Sequence, residues 1–103
     1  MRSFFVIFTI ALMAAFSGDA QAGNPIAGKK VWLTNSCPSC HGLDGKSVVP
    51  GVPSFSKGER MMKPDAVLVE TIIKGAKIMP AWKGILSSKD MFDVITFIRT
   101  LRK

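Results

Sequence analysis

Both cysteines of this 103-residue chain and its one histidine fall within five consecutive positions, Cys37-Pro38-Ser39-Cys40-His41. That concentration excludes more than it permits. A closed structural zinc site takes four Cys or His ligands, and the whole chain holds three. Two cysteines make at most one bridge, so a disulfide-dense mini-protein is excluded as well. The length allows one domain, too short for a doubly wound nucleotide-binding sheet or a TIM barrel.

The order Cys-x-x-Cys-His has a chemistry of its own. Two thiols three positions apart can reach the two vinyl groups on one edge of a haem and form thioethers. The adjacent imidazole is then held under the iron as the proximal ligand. Three rival readings stand beside it: a thioredoxin-like redox pair, a zinc or copper site that borrows carboxylates or methionines, and a chance pentapeptide. The redox pair needs a βαβ setting that the sequence lacks. Covalent haem attachment through Cys37 and Cys40, with His41 on the iron, is the expectation.

Residues 1–22 read as a secretory leader. Arg2 supplies the positive start, Phe4 to Phe16 is apolar except for Thr9, and Ser17-Gly18-Asp19 breaks the run before Ala20-Gln21-Ala22. The run is shorter than the roughly 20 residues of a spanning helix. Cleavage after Ala22 is expected, with an uncleaved membrane tether as the alternative. The folded part is then residues 23–103. One arginine and one aspartate leave together, so the net charge of +7 survives. A domain of about 80 residues is short of core and calls for a disulfide, a metal or a cofactor.

Within residues 23–103 the pattern is all-α. A first helix is expected from Pro25 to Ser36, with Asn24 as its cap and Pro25 at its first position. Ala27, Gly28, Val31 and Trp32 share one face, while Lys29 and Lys30 point away. A second helix is expected from Pro64 to Lys74, ended by Gly75, with Leu68, Val69, Ile72 and Ile73 as its stripe. A third is expected from Ser88 to Arg102, opened by a capping box in Ser87-Ser88-Lys89-Asp90. Met91, Val94, Ile95, Ile98 and Leu101 recur along it at helical spacing. The Gly/Pro-rich stretch from Gly42 to Lys63 is too long for a plain connection, which implies that it wraps or lines something.

An iron held by His41 alone would keep one face open. Of the six methionines, Met1 and Met13 leave with the leader, and Met91 fits helix packing. Met61 and Met62 precede Pro64 in a basic loop. Met79 lies in non-helical chain four residues after Gly75, and Pro80 holds it in an extended conformation. Met79 is therefore the expected second axial ligand, with Met62 its rival. A thioether opposite histidine favours ferrous iron.

With these residues in place, the chain resembles the class I cytochromes c, in particular the short bacterial monohaem type, over the whole of residues 23–103. The resemblance implies a cytochrome c fold of three or more helices wrapped around one covalently attached haem c. Gly28-x-x-x-Trp32 matches the family's Gly-x-x-x-aromatic on the first helix. Val94 and Phe97 match the last-helix positions that pack on it. Pro50 matches a proline whose carbonyl meets the other ring nitrogen of the proximal histidine, with Pro53 as the alternative. Met79-Pro80 matches the axial Met-Pro. Trp82, just beyond, is left between haem shielding and packing.

The charge completes the reading. Lys46, Lys57, Lys74, Lys77 and Lys83 fall in or beside segments expected to ring the haem. A basic rim would steer docking to larger redox proteins with acidic surfaces. The export signal argues against nucleic acid, and nothing in the apolar stripes demands more than a monomer. The expected function is a periplasmic one-electron carrier with no bond-making site. A haem subunit of a membrane or periplasmic dehydrogenase or oxidase is the alternative, followed by an open-site haem ligand binder.

Overall fold

The computed structural model describes residues 23–103, and the leader reading of residues 1–22 lies outside them. The described chain is helical: α1 Pro25–Thr34, α2 Pro38–His41, α3 Asp65–Lys74 and α4 Ser88–Arg99, with a 3-10 turn at Phe55–Lys57. Among the described residues there is no strand, only the isolated bridges Ala76–Met79 and Lys83–Leu86.

Local chemistry sets each boundary. The Asn24 side chain accepts from the N–H groups of Ile26 and Ala27 at 2.9 and 3.1 Å, with Pro25 in the first turn as expected. At its other end α1 stops two residues before the expected Ser36. The Asn35 amide donates to the Val31 carbonyl at 2.8 Å, and Ser36 turns into the left-handed region at φ +59°. An asparagine that satisfies a last-turn carbonyl itself competes with a further helical turn. Pro64 caps α3 rather than beginning it, and Gly75 ends it at φ +74°. The capping box of α4 is present: Ser87 Oγ accepts from Asp90 N–H at 3.0 Å, and Asp90 Oδ2 from Ser87 N–H at 3.2 Å. The helix ends at Arg99, not Arg102, and Thr100 caps it.

The core forms where α1 crosses α4. Gly28 makes that crossing possible: a β-carbon there would lie 1.9 Å from the Asp93 carbonyl oxygen and 2.8 Å from Phe97 Cβ. The approach seats Trp32, buried to 2 % exposure, edge-on against Phe97 with ring centroids 5.7 Å apart. Met91, Val94, Ile95 and Ile98 of α4 and Leu68 and Ile72 of α3 close the rest. Val69, Ile73 and Leu101 pack at its margin, so the stripes fall on the faces read from the sequence.

The stretch from Gly42 to Lys63 is an ordered wrap. Val48 N–H donates to the Cys40 carbonyl, Ser47 N–H to Ser54 Oγ, and Ser54 N–H to Glu59 Oε1. Phe55 and Met61 go into the core, whereas Met62 is 88 % exposed. Arg99 ties the far end of the wrap to α4. Its guanidinium donates to the carbonyls of Met61 (2.7 Å) and Lys63 (2.9 Å) and to Asp65 Oδ1 (2.6 Å).

Candidate haem site

The motif forms α2, a single turn that periodicity could not reveal because it is four residues long. Pro38 occupies its first turn, and His41 N–H donates to the Cys37 carbonyl at 3.0 Å. Gly42 then leaves at φ +80°, where a β-carbon would come within 1.9 Å of the Lys46 carbonyl oxygen. In such a turn residues i and i+3 are neighbours, so Cys37 and Cys40 share one side and His41 follows at once. Both thiols are free and half-buried. Burial raises the Cys37 thiol above its ordinary pKa, which keeps it neutral.

His41 is half-buried, and Phe55 stacks on its ring with centroids 4.7 Å apart and planes inclined by 17°. Trp32 stands 5.8 Å away. Burial lowers the imidazole pKa, only partly offset by the Pro53 carbonyl, so the ring is held toward the neutral, metal-binding form. Nδ1 lies 3.5 Å from the Pro53 oxygen, a long contact in which the tautomer with its proton on Nδ1 would donate and leave Nε2 with a free lone pair.

Of the two prolines weighed for that role, it is Pro53 and not Pro50 whose carbonyl lies against the ring. Pro50 and Gly51 are the corner of a turn closed by Val52 N–H on the Val49 carbonyl, with Gly51 at φ +82°. A Pro-Gly pair with positive φ at the glycine is the type II arrangement. The turn leaves Pro50 exposed and brings Pro53 back to the histidine.

Met79 is half-buried and packs on the same core as Cys37 and Trp82. A tight turn presents it: Ala76 and Met79 exchange hydrogen bonds at 2.9 and 3.1 Å, with Lys77 at φ +54°. The segment beyond is tied back to α3 by Trp82 N–H on the Ile72 carbonyl at 2.9 Å. Gly28, Trp32 and Phe97 lie at the α1–α4 contact, and Val94 is buried in the same core. Phe55 is the residue that sequence reasoning missed. A lone aromatic two residues after Pro53 in a Gly/Pro-rich wrap was its available signal.

The residues present fit a haem. Two free thiols and a neutral imidazole on one turn are the donor set for covalent attachment. Trp32 Nε1 is buried with no hydrogen-bond partner, which marks the pocket wall beside His41 as incomplete from protein atoms alone.

Comparison with known proteins agrees with this geometry. Residues 23–98 match the family described as cytochrome c oxidase, cbb3-type, subunit III. The chain is 32 % identical to cytochrome c6 of Nostoc sp. over 98 residues, covering 90 % of this chain and 86 % of that protein. It is 34 % identical to the cbb3-type cytochrome c oxidase subunit FixP of Bradyrhizobium diazoefficiens over 77 residues, covering 72 % of this chain but only 26 % of FixP. Among solved structures, the KustC0563 c-type cytochrome superposes with a TM-score of 0.65 at 25 % identity, over 74 % of this chain and 98 % of its own.

The fold and the site thus define an all-α electron-transfer protein with covalently attached haem c. The chain belongs to the class I c-type cytochromes, as a small, single-haem member.

Proposed function

We propose that the protein is an exported one-electron carrier whose haem is bound covalently by Cys37 and Cys40 and ligated axially by His41 and Met79. The observation that carries this reading is the α2 turn, which sets both thiols and a neutral imidazole within one helical turn against Pro53. The bound group supplies a one-electron iron couple, and the chain controls its potential and its access. Met79 offers a neutral thioether from a loop tied to α3, which raises the potential relative to a second histidine. Two protein ligands leave no position for a substrate, so the reading is of a carrier and not an enzyme.

Docking falls to the lysines. Lys46, Lys57, Lys77 and Lys83 are exposed and form no ion pair among the described residues, whereas Lys74 is held by Glu70 at 2.5 Å. These four cations suit larger redox partners with acidic surfaces. Among the described residues no helix is long and apolar enough to cross a membrane.

The likeness to FixP, confined to a quarter of that subunit, favours a second reading: a haem domain working within an oxidase complex. Fractionation separates the two, since a carrier is released with the periplasm and a subunit co-purifies with membranes.

The axial assignment is tested by the absorption spectrum of the oxidised holoprotein. A weak far-red methionine–iron band is expected, lost in Met79→Ala and kept in Met62→Ala. If the band is missing from the unmodified protein and the ferrous form takes up CO readily, the carrier reading fails.

A further inference from the structure

Gly23 and Asn24, the first described residues, are packed into the body of the fold. Asn24 N–H donates to Asp93 Oδ1 at 2.8 Å. A β-carbon on Gly23 would lie 2.3 Å from both the Phe92 carbonyl oxygen and Thr96 Oγ1. Residue 23 is therefore pressed onto the middle of α4 at a point where only glycine fits. The nitrogen of Gly23 is one bond from that crowded α-carbon.

Asp93 sits beside this contact and is 3 % exposed. A buried carboxylate needs compensation from donors and positive charge. Its other oxygen takes Lys89 Nζ at 2.5 Å, but that lysine side chain is 74 % exposed and one helical turn away on the same helix. The carboxylate end of this pair is buried while its cation stays in solvent, so the negative charge is met from one side only. Thr96 Oγ1 donates to the Phe92 carbonyl at 2.9 Å, so its lone pairs are open to a further donor.

We propose that the α-ammonium freed at Gly23 by removal of residues 1–22 packs against α4 as a second cation for the buried Asp93, whose Oδ1 already accepts the N–H of the very next residue, Asn24. Processing of the leader then does more than release the chain: it creates the charge that completes the α1–α4 junction. The charged groups around this point are Asp93 and Lys89. The first turn of α1 carries no acid, and Asp90 is engaged with the Ser87 backbone. The proposal rests on the exported part of that reading, since it needs removal of residues 1–22, and not on the haem ligation or electron transfer.

The test uses exported holoprotein labelled with [15N]glycine, its mature end read by intact mass. The Gly23 amine is expected to titrate above the ordinary α-amino range of about 7.7–8.0, and Asp93→Asn is expected to return it to that range. An ordinary value in the unsubstituted protein, a shift indifferent to Asp93→Asn, or a mature end other than Gly23 overturns the proposal. A variant with one alanine inserted before Gly23 gives an independent reading that leaves Asp93 intact. Its folding constant at pH 6 is expected to fall about three- to tenfold, the scale of a partly exposed ion pair. The loss should close by about pH 10, because a raised amine contributes below its unfolded pKa and ceases to as pH rises through the folded one. Equal stability at pH 6, or a deficit that persists at pH 10, overturns it.

Discussion

The α-carbon of Gly28 lies so close to the Asp93 backbone that a methyl group on it would stand 1.9 Å from the Asp93 carbonyl oxygen. Backbone cannot yield as a flexible side chain can. Gly28→Ala must therefore spread α1 from α4 and unseat Trp32 from Phe97. Overpacking of this kind costs about 3 kcal/mol. Urea unfolding of the holoprotein should show it as a lower midpoint.

Asp93 makes stability depend on acid. Burial alone would raise its pKa, but the bonds from Lys89 and the Asn24 N–H, with the Lys89 charge, outweigh burial and lower it. A lowered folded pKa contributes stability above the unfolded value of about 3.9, and that stability is lost as pH falls through the folded value. The unsubstituted protein should weaken steeply below about pH 4, and Asp93→Asn should be weaker at neutral pH with a flatter acid limb. Thermal unfolding measured from pH 2 to 7 checks both.

Cofactor attachment and folding should be inseparable. A domain of about 80 residues buries too little surface to be secure alone. Cys37→Ser with Cys40→Ser, which leaves no thioether, should abolish the cooperative unfolding transition and reduce helical circular dichroism at 25 °C. A double variant that unfolds as sharply as the holoprotein would contradict this.

Docking by charge has a kinetic signature. Lys77→Glu and Lys83→Glu should each slow bimolecular electron transfer to an acidic redox partner, with the difference shrinking as ionic strength rises. Stopped-flow rates across a salt series measure it. The same substitution at Lys74, already held by Glu70, tests how far that pair has withdrawn its charge.

Much of this was legible in the residues, because the signals were local. Asn24, Pro64, Gly75 and the Ser87–Asp90 box mark helix ends by chemistry that acts within four positions, and α1, α3 and α4 begin at or beside them. What stayed open required chain reversal. Spacing could not choose between Pro50 and Pro53, because the Pro50-Gly51 corner turns the chain and brings the Pro53 carbonyl to the histidine. Phe55 reaches His41 through the same reversal, and no spacing rule spans it. The first helix stops short of Ser36 because the Asn35 side chain answers the Val31 carbonyl itself, which the apolar face of Ala27, Gly28, Val31 and Trp32 does not reveal.

Arg99 gathers the end of the wrap, the first turn of α3 and the last turn of α4 onto one guanidinium. Opening any one of these segments breaks bonds to the other two, so the amide protons around Met61 to Asp65 should exchange more slowly than those of an untethered loop, and Arg99→Ala should release them.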